Sequence, residues 1–99
     1  MIIRIVRMTF KSEEVDAFLE LFESSKSQIR YFEGCLHLEL LKDANDLRIF
    51  STYSKWINED ALNAYRNSDL FGKVWPATKS KFAEEPVAFS LKEFMSVNN

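Results

Sequence analysis

Two segments of alternating polarity, Cys35 to Leu41 (CLHLELL) and Leu47 to Ser54 (LRIFSTYS), are separated only by Lys42 to Asp46 (KDAND). Period-two alternation marks half-buried strands, and a short link rich in Asp and Asn marks a turn, so this stretch predicts an antiparallel hairpin. The rest of the chain has to be arranged around it. In the first strand Leu36, Leu38 and Leu40 share one face, and Cys35, His37, Glu39 and Leu41 the other. In the second, Leu47, Ile49, Ser51 and Tyr53 lie opposite Arg48, Phe50, Thr52 and Ser54, and the same period places Trp56 with the latter set.

Each side of the hairpin carries helical periodicity. Upstream, Val15, Phe18, Leu19, Phe22, Ile29 and Phe32 recur at spacings of three and four. Ser12 is a candidate cap, Glu13, Glu14 and Asp16 favour the positive end of a helix, and Gly34 suits its termination. Downstream, Asn58 is placed to cap a helix bearing Ala61, Leu62, Ala64 and Tyr65. Ser68 then caps a second segment carrying Leu70, Phe71, Val74, Trp75, Thr78 and Phe82, with Pro76 predicting a kink or a fresh start. Ile2 to Phe10 reads as a strand, central in the sheet because little of it is polar, Val87 to Met95 reads as the last strand, and the last residues are expected to fray.

The order strand–helix–strand–strand–helix–strand defines an α+β, ferredoxin-like split β-α-β fold (βαββαβ), with an antiparallel four-stranded sheet and helices on one face. Residues 1–99 are expected to form a single domain. The second sheet face is expected to offer Val6, Met8, Phe50, Trp56 and Leu41, too apolar a set for water, which predicts a homodimer packed sheet to sheet.

Composition narrows the function classes. The chain has 99 residues, is 14% aromatic with nine Phe, and has a net charge of −2. So many rings in a small domain point to a ligand cavity or an interface, or to a Phe-rich core. The scattered charge argues against nucleic-acid binding. LRIFSTYS lacks the basic aromatic–glycine motif of an RNA-recognition sheet, and MTFKSEE lacks the CxxC of a metal chaperone. One cysteine, Cys35, leaves no internal disulfide framework. Charge at Arg4 comes too early for a signal peptide, and no apolar run approaches the roughly 20 residues of a membrane span, so the expectation is a cytoplasmic protein without a membrane partner.

Gly34-Cys35-Leu36 opening a strand, a strand ending in Trp56, then Ala61-Leu62 and Ser68-Asp69-Leu70-Phe71 resemble the antibiotic biosynthesis monooxygenase (ABM) domain family over nearly the whole chain. The resemblance implies a dimeric α+β barrel. It also implies a monooxygenase that oxidises a small aromatic or quinol-like substrate with no cofactor and no metal, the deprotonated substrate itself supplying the electron to oxygen. Thr52 stands where the monooxygenase branch tends to hold an asparagine, four residues before the tryptophan, and Tyr65 where many relatives hold a histidine. Trp75 replaces the axial histidine a heme-degrading branch would need, and Val6 its strand-one asparagine, so heme is not implied.

The candidate catalytic residues are therefore Thr52 and Tyr65 as hydrogen-bond donors and His37, the only histidine, as a proton acceptor oriented by Glu39. Side chains two apart on a strand lie about 7 Å apart, which leaves direct His37–Glu39 pairing open. Trp56 is a candidate wall for a planar ligand or a plug between sheet and helix; Phe50, Phe71 and Trp75 complete the candidate substrate-binding set or belong to the core. A non-catalytic homodimer binding a small apolar molecule is the alternative.

Overall fold

In the computed structural model, which describes residues 1–98, the elements run β1 (Ile2–Thr9), α1 (Val15–Arg30), β2 (Cys35–Lys42), β3 (Ile49–Trp56), α2 (Glu59–Arg66), α3 (Asp69–Lys79) and β4 (Val87–Leu91). The four strands form one antiparallel sheet in the order β2-β3-β1-β4. This is the α+β, ferredoxin-like arrangement expected, with its second helical region divided into α2 and α3.

Local chemistry accounts for most boundaries. The Asn58 side chain accepts from the Ala61 N–H at 2.8 Å, and Ser68 Oγ from the Phe71 N–H at 3.1 Å, so both expected caps form. Ser12 does not cap α1; it opens a short 3-10 turn, Ser12–Glu14, held by the Glu14 N–H to the Lys11 carbonyl at 2.9 Å. Helix α3 continues through Pro76 rather than restarting there, giving up the backbone bond that a proline cannot donate. β4 ends at Leu91, short of the expected Met95, and β3 begins at Ile49 because Asp43 and Asp46 hold Leu47 and Arg48 in the preceding turn. Of the last residues, expected to fray, 96–98 are exposed and in no helix or strand, and position 99 lies outside the described residues.

Gly34 turns the chain from α1 into β2 at φ +87°. A Cβ there would stand 2.5 Å from the Ala61 Cβ, so α2 packs directly against the bare glycine. The Ile57 N–H donates to the Gly34 carbonyl at 2.8 Å and closes this corner.

The strand register corrects the predicted second face. Met8 pairs with Phe50, Val6 with Thr52, and Ile2 with Trp56. Met8, Phe10, Phe18 and Phe50 form one buried cluster against α1; Ile2, Cys35, Trp56 and Leu62 form another against α2. Val6, Met8, Phe50 and Trp56 therefore face the helices. Alternation shows which residues share a face, but not which face meets the helices; the aromatic stripe Phe18 and Phe22 meets Phe10 and Phe50. The open face instead carries Ile3, Ile5, Tyr53, Leu41, Val87, Phe89 and Leu91, and of the five residues expected there only Leu41 is present. Its apolar character survives the correction.

Candidate active site

Between the helix side of the sheet and α1, α2 and α3 lies a cavity of about 300 Å³. That is at the small end of ligand pockets, room for a ligand of a few fused rings at most. Its floor is built from helix-facing strand positions: Arg4, Val6 and Met8 of β1, Leu38 of β2, Thr52, Ser54 and Trp56 of β3, and Ala88 of β4. Leu62, Tyr65 and Arg66 of α2, with Phe71, Val74, Trp75 and Thr78 of α3, close it from above.

An aromatic series runs along this wall. Trp56 stacks on Tyr65 at 5.1 Å between centroids, Tyr65 meets Phe71 edge-on at 5.3 Å, and Phe71 stacks on Trp75 at 5.8 Å. The Asn58 and Ser68 caps fix where α2 and α3 start, and so place Tyr65 and Phe71 in this series. Trp56 is only 1% exposed and its Nε1 donates to Ser54 Oγ at 3.0 Å. It is thus both a plug of the core and part of the cavity wall.

The polar groups that converge here are few. Burial, with a smaller contribution from the nearby Cys35 thiol, pushes the Tyr65 hydroxyl up to about 12. At neutral pH it is a neutral donor and cannot serve as a base. Among the described residues the Thr52 and Tyr65 hydroxyls make no hydrogen bond within the chain, and neither is sealed off, since no side-chain oxygen is both buried and unpartnered; Thr78 Oγ1 is committed to the Val74 carbonyl at 2.7 Å. Arg4 donates through one guanidinium nitrogen to Ser90 Oγ at 3.1 Å. Burial first, then repulsion by Arg66, pulls its pKa below the usual arginine value. Among the described residues, no acidic side chain and no histidine lines the cavity.

Of the candidates read from sequence, Thr52, Tyr65, Trp56, Phe71 and Trp75 are brought together around the cavity. Phe50 faces the helices but is sealed between Phe10 and Phe18, away from the lining. His37 and Glu39 lie on the opposite sheet face, paired across from Lys55 and Tyr53. There His37 Nε2 and Glu39 Oε1 meet at 2.7 Å, closer than ideal strand spacing allows for, and the imidazole edge rests on the Tyr53 ring. The β2–β3 pairing explains the separation: Leu38 and Leu40 stand opposite Ser54 and Thr52 on the helix side and leave His37 and Glu39 outside, while the register irregularity between Cys35 and His37 turns Cys35 alone into the helix-side cluster. The Cys35 thiol is buried and its pKa raised by that burial, consistent with a packing role.

Arg4, Ser54 and Arg66 were not singled out from the sequence. The signal for Arg4 was present: it is the one charge in the alternating set Ile2, Arg4, Val6, Met8. Among the described residues no group of three or more His, Cys, Asp or Glu side chains is placed to hold a metal ion.

A small α+β sheet-and-helix domain with an aromatic-walled cavity beneath its second helical region is the class of protein that these features define. The profile of the antibiotic biosynthesis monooxygenase family matches residues 1–75, and the chain belongs to that family. Among solved structures, that of an antibiotic biosynthesis monooxygenase superposes with a TM-score of 0.90 at 20% identity, covering 96% of this chain and 100% of the other. A conserved protein from Methanosarcina mazei Go1 gives a TM-score of 0.88 at 22% identity over 95% of this chain and 94% of its own. A protein from Mycobacterium tuberculosis gives 0.88 at 15% identity over 98% of each chain. At these identities the likeness is one of fold. No curated protein matches the chain in sequence.

Proposed function

We propose that this chain is a monooxygenase that takes a small hydroxylated aromatic into the cavity and oxidises it with dioxygen, without a resident cofactor. The observation that carries this reading is the cavity itself: on a chain of this family, a space of about 300 Å³ is walled by Trp56, Tyr65, Phe71 and Trp75 and offers two unengaged hydroxyls, Thr52 and Tyr65. Ring walls suit a planar ligand, and donors converging on an otherwise apolar space fix its orientation.

The reaction balances without an external reductant. A phenol C–H opposite the hydroxyl becomes a carbonyl; one oxygen atom of dioxygen enters the quinone product and the other leaves as water. All four electrons come from the substrate, beginning with electron transfer from its ionised form. The chain's contribution is to hold the ring, to donate from Thr52 and Tyr65 to the substrate oxygen as charge shifts, and to exclude bulk water. The same reading includes a homodimer joined through the open sheet face, where Ile3, Ile5, Phe89 and Leu91 lie together.

Oxygen uptake with a panel of dihydroxyaromatics tests the activity. Thr52→Val and Tyr65→Phe each remove one donor without changing the wall and should lower kcat/KM by about ten- to a hundredfold. Protein-independent uptake across the panel, or variants equal to wild type, would sink the catalytic reading. A non-catalytic binding dimer is favoured by one observation, the absence of any base in the cavity lining, and would show saturable binding with no uptake.

A further inference from the structure

We propose that the cavity takes its ligand as an anion, a phenolate, enolate or aromatic carboxylate, whose charge is held between Arg4 on the sheet floor and Arg66 at the end of α2. The inference rests on the aromatic-ligand reading above and specifies the ligand's charge. Two guanidiniums line one cavity with no Asp or Glu in that lining. Neither takes part in an ion pair among the described residues, whose pairs are Lys26–Glu23, His37–Glu39 and Arg48–Asp46.

Arg4 is partly buried among Ile2, Val6 and Met8, where a neutral side chain would be less costly. Its one side-chain partner is the neutral Ser90 hydroxyl, which leaves its charge uncompensated. Repulsion between Arg4 and Arg66 adds to that cost. An anionic ligand would relieve both terms at once, and guanidiniums hold oxyanions by two parallel hydrogen bonds. Because Arg4 faces the helices, a sheet-to-sheet partner would not cover it.

The pair also answers the missing base. With His37 on the far face and Tyr65 held neutral, no cavity side chain accepts a phenol proton at neutral pH. The proton instead passes to solvent water, and the arginines favour the anion left behind. The preferred substrates are thus acidic hydroxyaromatics that ionise readily, rather than unactivated phenols.

Binding of 4-nitro-1-naphthol, whose anion has its own visible band, tests this independently of turnover. Its methyl ether, followed by quenching of tryptophan fluorescence, is the neutral control. Bound naphthol should ionise about one pH unit below the free dye, and Arg4→Met and Arg66→Met should each weaken its binding about tenfold while leaving the ether unchanged. Arg4→Lys should retain most of the preference. Equal binding of dye and ether by wild type, or equal loss of both in the arginine variants, overturns the charge assignment alone. If neither ligand binds, the aromatic-ligand reading falls and this inference with it.

Discussion

Tyr65 is placed so that its ring and its hydroxyl do different things. The ring stacks on Trp56, while the hydroxyl is desolvated enough to raise its pKa to about 12. In the unfolded chain a tyrosine ionises near 10. A raised folded-state value means that the neutral form favours folding at all pH below 10 and that this contribution is lost as pH climbs from about 10 to about 12. Denaturation midpoints should therefore fall over that alkaline window, and Tyr65→Phe should flatten the fall; an unchanged alkaline profile would contradict it. Ser54 carries a comparable structural duty. It is the acceptor for Trp56 Nε1, in a ring 1% exposed, so Ser54→Ala strands a buried donor. A loss of about 1–3 kcal/mol in urea unfolding is expected. Neither residue's environment was legible in its own neighbourhood of sequence, because Trp56 and Tyr65 meet only once the strand-to-α2 corner has formed.

The elements themselves were easier to read. Strand alternation, the Asn58 and Ser68 caps and the Gly34 terminus are all local signals, and each appears where local chemistry puts it. What failed at the site depended on contacts distant in sequence. The irregularity at the start of β2 moves Cys35 to the helix side, and the pairing of β2 with β3 leaves His37 and Glu39 on the open side. Alternation separates His37, Glu39 and Leu41 from Leu38 and Leu40 but does not say which set shares a face with Thr52; the leucines do, Leu40 opposite Thr52 and Leu38 opposite Ser54, so the only histidine belongs to the other face. The orientation of β1 was lost for a related reason, since nothing within Ile2–Thr9 states which side meets Phe18. Gly34 tests the corner that holds α2 over the cavity. Gly34→Ala puts a Cβ 2.5 Å from Ala61 and forces a positive φ on a residue that disfavours it. Destabilisation by more than about 1 kcal/mol should appear in urea unfolding, with weakened ligand binding as α2 shifts.

At the scale of the whole molecule, the helix side forms a closed assembly and the open sheet face is unfinished. Val87 is 51%, Phe89 42% and Leu91 49% exposed on an edge strand, next to Ile3 and Ile5. Three strands of eight residues and one of five span roughly 450 Å² in plan, more than half of the roughly 800 Å² per partner that a stable interface buries. Sedimentation should thus give about twice the 11.6 kDa chain mass, and Ile5→Asp should return it to one. A wild-type chain at 11.6 kDa in micromolar solution would contradict the dimer while leaving the cavity argument untouched. That cavity is where the proposed oxidation takes place. Turnover of an acidic hydroxyaromatic under isotopically heavy dioxygen, with the quinone product analysed by mass spectrometry, tests it most directly. One heavy oxygen atom is expected in the product, dependent on Thr52 and Tyr65. Product carrying only oxygen from water, or label incorporated equally without the protein, would contradict it.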